Sequence, residues 1–175
     1  MISNSSALIF FGKLNRFDLF KRLFNKVEIA KSVYKEVVES GRELNKIDSF
    51  IIRNLIEDGF ISVENLTKAG QEKSLFLRKT HLFLDEGESD TIALAIQKNQ
   101  KYLLIDEKPA RKVAELCGLS PIGVLGISLL AYKKDALNEK GLKEIINKLV
   151  LHDFRIGADV LSEFWNLFEM IRKRK

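Results

Sequence analysis

The chain alternates short apolar runs with longer segments of helical spacing, and few folds accept that order. "VEIA" (27–30), "FISVENL" (60–66), "KYLLID" (101–106) and "SPIGV" (120–124) have the length and content of buried strands. A brief strand at the start ends near Asn4, where "NSS" supplies good helix caps and a helix begins by Ser6. Between the runs lie helices: "DLFKRLF" (18–24), "KSVYKEVVES" (31–40) with one valine face, "SFIIRNLIEDGF" (49–60) and "DEGESDTIALAIQKN" (85–99). "LTKAGQEKSLFLRKTHLFL" (66–84) is mixed and reads as helix in part. "EKPARKVAELCG" (107–118) is a helix stopped by Gly118, and "GISLLAYKKDAL", "LKEIINKLV" and "DVLSEFWNLFEMIRKRK" complete the helical set. Strand-then-helix repetition specifies an α/β domain with a mainly parallel sheet, rich in helices.

A length of 175 residues suits one domain with an appended helix, and 46% hydrophobic against 30% charged residues excludes a disordered chain. Lys and Arg number 29 against 24 Asp and Glu, and the resulting +5 fits a polyanionic partner without requiring one. The single Cys117 rules out an intrachain disulfide and a thiolate zinc cluster, and its setting in "AELCGLSP" reads as a small core residue. His81 and His152 lie in no metal-ligand spacing. No secretory leader is read in "MISNSSALIFFGKL", and no apolar run reaches the ~20 residues of a membrane span, so the cytoplasm is the expected compartment and no membrane partner is expected.

The acids carry the functional reading. In a parallel sheet the C-terminal ends of the strands share one edge, and ligands bind in the crevice beside it. Asp106 ends a strand there, and Asn4 follows the first strand to the same edge. Glu36 lies in the "KSVYKEVVES" helix, and Glu88 opens the helix before "KYLLID". Clustered carboxylates repel one another unless a cation neutralises them, and an all-oxygen set suits Mg²⁺ or Mn²⁺ rather than zinc. Such ions serve phosphoryl chemistry.

"SNSSALI" (3–9), "VYKEVV" (33–38), "LDEGESDTIALA" (84–95) and "LLIDEKPARKVAELCGLSPIGVLGISLLA" (103–131) together resemble PIN-domain proteins, in the prokaryotic branch related to the VapC toxin nucleases. The likeness runs from Ser3 to about Phe154. It implies a PIN-like three-layer α/β/α domain over 1–154, followed by a C-terminal amphipathic helix with a basic tail over 155–175. It implies a Mg²⁺- or Mn²⁺-dependent endoribonuclease in which an activated water cleaves a phosphodiester and leaves a 5′-phosphate. RNA, a small antitoxin protein and a second copy of the chain are the partners implied.

On the matching positions, the resemblance puts the second, third and fourth acids at Glu36, Glu88 and Asp106. The first falls on Asn4, a departure, because an amide offers a carbonyl oxygen but no charge. Ser6 matches the small hydroxyl residue beside that position, and Asp90 and Glu107 are nearby acids able to assist. Without the resemblance, Asp90 reads as a complement to the helix dipole and Glu107 as first-turn charge. Lys108, Arg111 and Lys112 either hold the phosphate backbone or form a solvated face, and the "RKRK" tail carries a weak signal of the same kind. Phe164, Trp165 and Phe168 read as packing or partner contacts rather than base-stacking groups. The alternative to a nuclease is a PIN-like module that lost its chemistry with the first aspartate and binds RNA or a protein partner.

Overall fold

The computed structural model describes residues 1–41, 46–151 and 156–175. They form two compact units, Met1–Val124 and Leu125–Lys175. The expected boundary at 154/155 and His152 fall outside the described residues.

The first unit contains five parallel strands: β1 (Ile2–Ser3), β2 (Val27–Ala30), β3 (Ile61–Glu64), β4 (Tyr102–Leu104) and β5 (Ser120–Ile122). Their spatial order is β3-β2-β1-β4-β5. Parallel neighbours need a crossover, and helices supply each one. α1 (Ser5–Lys13) and α2 (Phe17–Leu23) join β1 to β2. α3 (Lys31–Tyr34, continued by a π-helical stretch Lys35–Ser40) and α4 (Ile47–Glu57) precede β3. α5 (Lys68–Thr80) and α6 (Glu86–Gln97) lead to β4, and α7 (Lys108–Leu116) to β5. α1 packs on α4, α5 on α6, and α6 against β1, β2 and β4, giving the three-layer α/β/α arrangement. The second unit contains nearly all of α8 (Val124–Lys133), with α9 (Glu139–Leu151) and α10 (Ala158–Arg172).

The strands are fully buried where they cross the sheet centre, at Ile2, Ile29, Leu103 and Leu104. This is why they appear as continuous apolar runs rather than alternating ones. Phe11 and Phe20 are fully buried, with ring centroids 4.8 Å apart in an edge-to-face pair, the geometry favoured by the ring quadrupoles. In the second unit Phe164 and Phe168 are buried and Trp165 meets both edge-on, so this aromatic stripe is used in packing. Cys117, expected in the core, is only half-buried and stands at the C-cap of α7. Gly118 next to it has φ +78°, which ends the helix as expected. Among the described residues no helix is long and apolar enough to cross a membrane.

Candidate functional site

Register sets the site. Ser3 pairs with Leu104, and the Asn4 backbone N–H donates to the Leu104 carbonyl at 3.0 Å. The chain after β1 and the chain after β4 therefore leave the sheet side by side. This brings Asn4 to Glu107: the Asn4 side-chain amide donates to Glu107 Oε2 at 3.0 Å, and the Ser6 hydroxyl donates to Glu107 Oε1. Asn4 is buried, and its Oδ1 has no hydrogen-bond partner. A buried carbonyl oxygen without a donor is uncommon and costly.

Two further segments approach. Glu36 lies in the π-helical continuation of α3, a geometry often found at functional positions. Its carboxyl is raised above the usual range, first by partial loss of hydration. The Ser5 hydroxyl opposes that rise, and the charges of Asp85 and Glu107 reinforce it. Asp85 caps α6 and Glu88 occupies its third position, forming a reciprocal capping box. The Glu88 N–H donates to Asp85 Oδ1 at 2.7 Å, and the Asp85 N–H to Glu88 Oε2 at 3.1 Å. Buried Glu88 is pushed up to about 7, chiefly by desolvation, with the charges of Asp85, Glu107 and Glu36 adding to it. Gly87 sits where these groups meet. A Cβ there would lie 3.2 Å from Glu36 Oε2 and 3.4 Å from Asp85 Oδ1. The charges of Asp85 and Glu107 thus bear on both Glu36 and Glu88, so carboxylates from three segments face one region.

Asp106 is placed differently. Its Oδ1 accepts the Val124 N–H at 3.3 Å, and Oδ2 is buried without a partner. It too is pushed up to about 7, first by desolvation. The Val124 N–H and nearby Arg111 oppose the rise, and Glu107 adds to it. A Cβ on Gly123 would come within 2.7 Å of Asp106 Oδ1 and 3.2 Å of Arg111 Nη1, so only glycine leaves that carboxylate its place. Glu107 is the neighbour Asp106 shares with the other acids.

Of the residues singled out from sequence, Asn4, Ser6, Glu36, Glu88 and Glu107 come together. Asp90 does not join them: its two oxygens accept Ser32 Oγ at 2.6 Å and Ser74 Oγ at 2.5 Å, tying α6 to the start of α3 and to α5. Arg111 turns toward Asp106, while Lys108 and Lys112 are exposed on α7. Asp85 and Ser5, not singled out from the sequence, also face this region, and Glu107, expected to assist, bonds Asn4 and Ser6. The signal for Asp85 was legible, since "DEGE" is an Asp-x-x-Glu capping pattern.

The donor set matches a hard divalent ion in chemistry: oxygen only, excess negative charge, and an orphaned carbonyl oxygen beside it. Among the described residues no three of Asp, Glu, His or Cys stand close enough to enclose an ion.

A parallel α/β domain with carboxylates gathered at the C-terminal ends of its strands belongs to the general class that binds ligands at that edge. The PIN-domain family model matches residues 1–170, and the chain is a member of that family. No curated protein matches it. PIN domains are generally nucleases that typically use divalent metals.

Proposed function

We propose that this chain is a Mg²⁺- or Mn²⁺-dependent endoribonuclease of the VapC-like kind. The observation that carries the reading is the convergence of Glu36, Asp85, Glu88 and Glu107 beside the partnerless Oδ1 of Asn4. Clustering of this kind costs stability unless positive charge compensates it. Asn4, Glu36, Glu88 and Glu107 would hold the ion, with Asp106 reaching it through its buried Oδ2. When bound, the ion supplies charge neutralisation to the phosphodiester and acidifies the attacking water.

The chain's own residues prepare that event. Glu107 fixes the Asn4 amide through Nδ2, which leaves Oδ1 as the free acceptor. Ser6 holds the other Glu107 oxygen, and Ser5 orients Glu36. Asp85 locks the first turn of α6 and so fixes Glu88. Glu107 also brings a negative charge to the position where Asn4 lacks one. Lys108 and Lys112 are suited to the phosphate backbone, and Arg111 to restraining Asp106. A cytoplasmic toxin role, a small antitoxin partner and a homodimer belong to the same proposal.

The weakened binding module is the second reading. It draws support from the Asn4–Glu107 hydrogen bond, which occupies a carboxylate oxygen that a ligand set would use. An RNA cleavage assay with Mn²⁺ separates the two. Native protein should cleave, and Glu36→Gln and Asp106→Asn should each lose more than the roughly 10–100-fold typical of a residue that only supports a ligand. Inert native protein together with an active Asn4→Asp variant would establish the binding module instead.

A further inference from the structure

The segment leading into the acid site presents aromatic rings to solvent. Phe76 on α5 and Phe83 in the turn after it are each 58% exposed, and Leu82 is 89% exposed. The turn is built to hold them outward. The His81 N–H donates to the Leu77 carbonyl at 2.8 Å, the Leu84 N–H donates to the His81 carbonyl at 2.9 Å, and Leu77 and Leu84 are buried on either side. The His81 ring lies 5.7 Å from that of Phe83, and Lys73 Nζ stands 5.5 Å from the Phe76 ring centre. Lys79 is also exposed on this helix, whose sequence carries four cations (Lys68, Lys73, Arg78 and Lys79) against the one acid Glu72. Two residues past Phe83 comes Asp85, a chain distance of at most about 7 Å.

We propose that Phe76 and Phe83, flanked by Lys73 and Lys79, form a stacking platform for nucleotides of a single-stranded nucleic acid entering the acid site. The inference rests on the nuclease reading for its location, but its chemistry stands apart. Acids that gather a cation do not attract a polyanion, so substrate must be held by other groups. Exposed rings with cations beside them are the combination that binds single strands without reading sequence, through base stacking and backbone charge. A surface meant for a protein partner has no comparable need for lysines around its rings, since Lys is depleted at such interfaces. Stacking does not read the 2′-hydroxyl, so RNA and DNA strands should both bind, and selection of RNA must come from elsewhere.

The test is fluorescence anisotropy of a labelled 12-nucleotide single strand, as RNA and as DNA, with full-length protein in EDTA so that nothing is cut. Phe76→Ala and Phe83→Ala should each weaken binding about tenfold, while Phe83→Trp retains it. Lys79→Ala should weaken binding and flatten the salt dependence by about one phosphate contact. Both rings are exposed, so the variants should melt like the native protein, and circular dichroism checks that. Native protein that cleaves RNA with Mn²⁺ while the Phe variants bind as tightly as native overturns the platform and leaves the nuclease reading standing. Ring-dependent binding without cleavage supports the platform and overturns the nuclease reading. If the Phe variants instead dissociate a native oligomer, with strand binding unchanged, the rings belong to a protein contact and the platform is wrong.

Discussion

Glu88→Gln should make the metal-free protein more stable at pH 8, although it removes a residue assigned to the site. Gln fills the same volume and still accepts the Asp85 N–H, so the capping box survives the change. What disappears is a charge that the folded protein holds at a cost. Burial and the neighbouring carboxylates raise Glu88 from an ordinary 4.5 to about 7. A rise means that the folded state binds the proton more tightly than the unfolded chain. Stability from this group is therefore present below about pH 4.5 and is lost as pH climbs through 7. The full loss is at most about 3.5 kcal/mol, from roughly 1.4 kcal/mol per pKa unit. Side-chain relaxation reduces it, so the expected gain at pH 8 is about 1–3 kcal/mol, shrinking below about 1 kcal/mol at pH 5. Urea unfolding followed by circular dichroism in EDTA at both pH values measures it. Excess Mn²⁺ should reverse the ranking, because the ion stabilises the native protein more than the variant. A variant that is less stable than native at pH 8 in EDTA, or whose gain does not depend on pH, would mean that the Glu88 charge costs the fold nothing.

Three further outcomes follow from the same geometry. Mn²⁺ affinity measured by calorimetry should rise between about pH 5 and pH 8 and release protons, since Glu88 and Asp106 both hold theirs to about 7 without metal. Asn4→Asp sets a carboxylate against Glu107, whose Oε2 lies 3.0 Å from the present amide nitrogen. The variant should lose about 1–3 kcal/mol of urea stability in EDTA and recover it with Mn²⁺. Gly123→Ala brings a methyl within 2.7 Å of Asp106 Oδ1, so it should cost about 1–3 kcal/mol and lower RNA cleavage by displacing that side chain.

The fold was legible because its signals are local. Buried parallel strands such as "VEIA" and "KYLLID" stand out as unbroken apolar runs, and the structure places β2 and β4 within them. The mixed segment at 66–84 hid a full helix, Lys68–Thr80, because that helix exposes Leu75 and Phe76 and blurs its own periodicity. The acids were legible as strand-end and helix-start positions, but side-chain direction was not. Asp106 and Glu107 are adjacent, yet only Glu107 bonds Asn4 and Ser6, while Asp106 accepts the N–H of Val124. Asp90 looked like a helix-start acid beside Glu88, and only the positions of Ser32 and Ser74 give it a different task. Such distinctions depend on partners far away in the chain, which spacing alone does not encode.

Anomalous diffraction from a crystal soaked in Mn²⁺ puts the assembly of the site to the most direct test. One or two peaks should fall within ligand distance of Asn4 Oδ1 and the carboxylates of Glu36, Glu88 and Glu107, with those side chains turned inward to meet them. Full-occupancy Mn²⁺ bound elsewhere, with Glu36 and Glu107 as far from a common centre as before and Asn4 Oδ1 still without a partner, would show that these acids do not assemble around a metal.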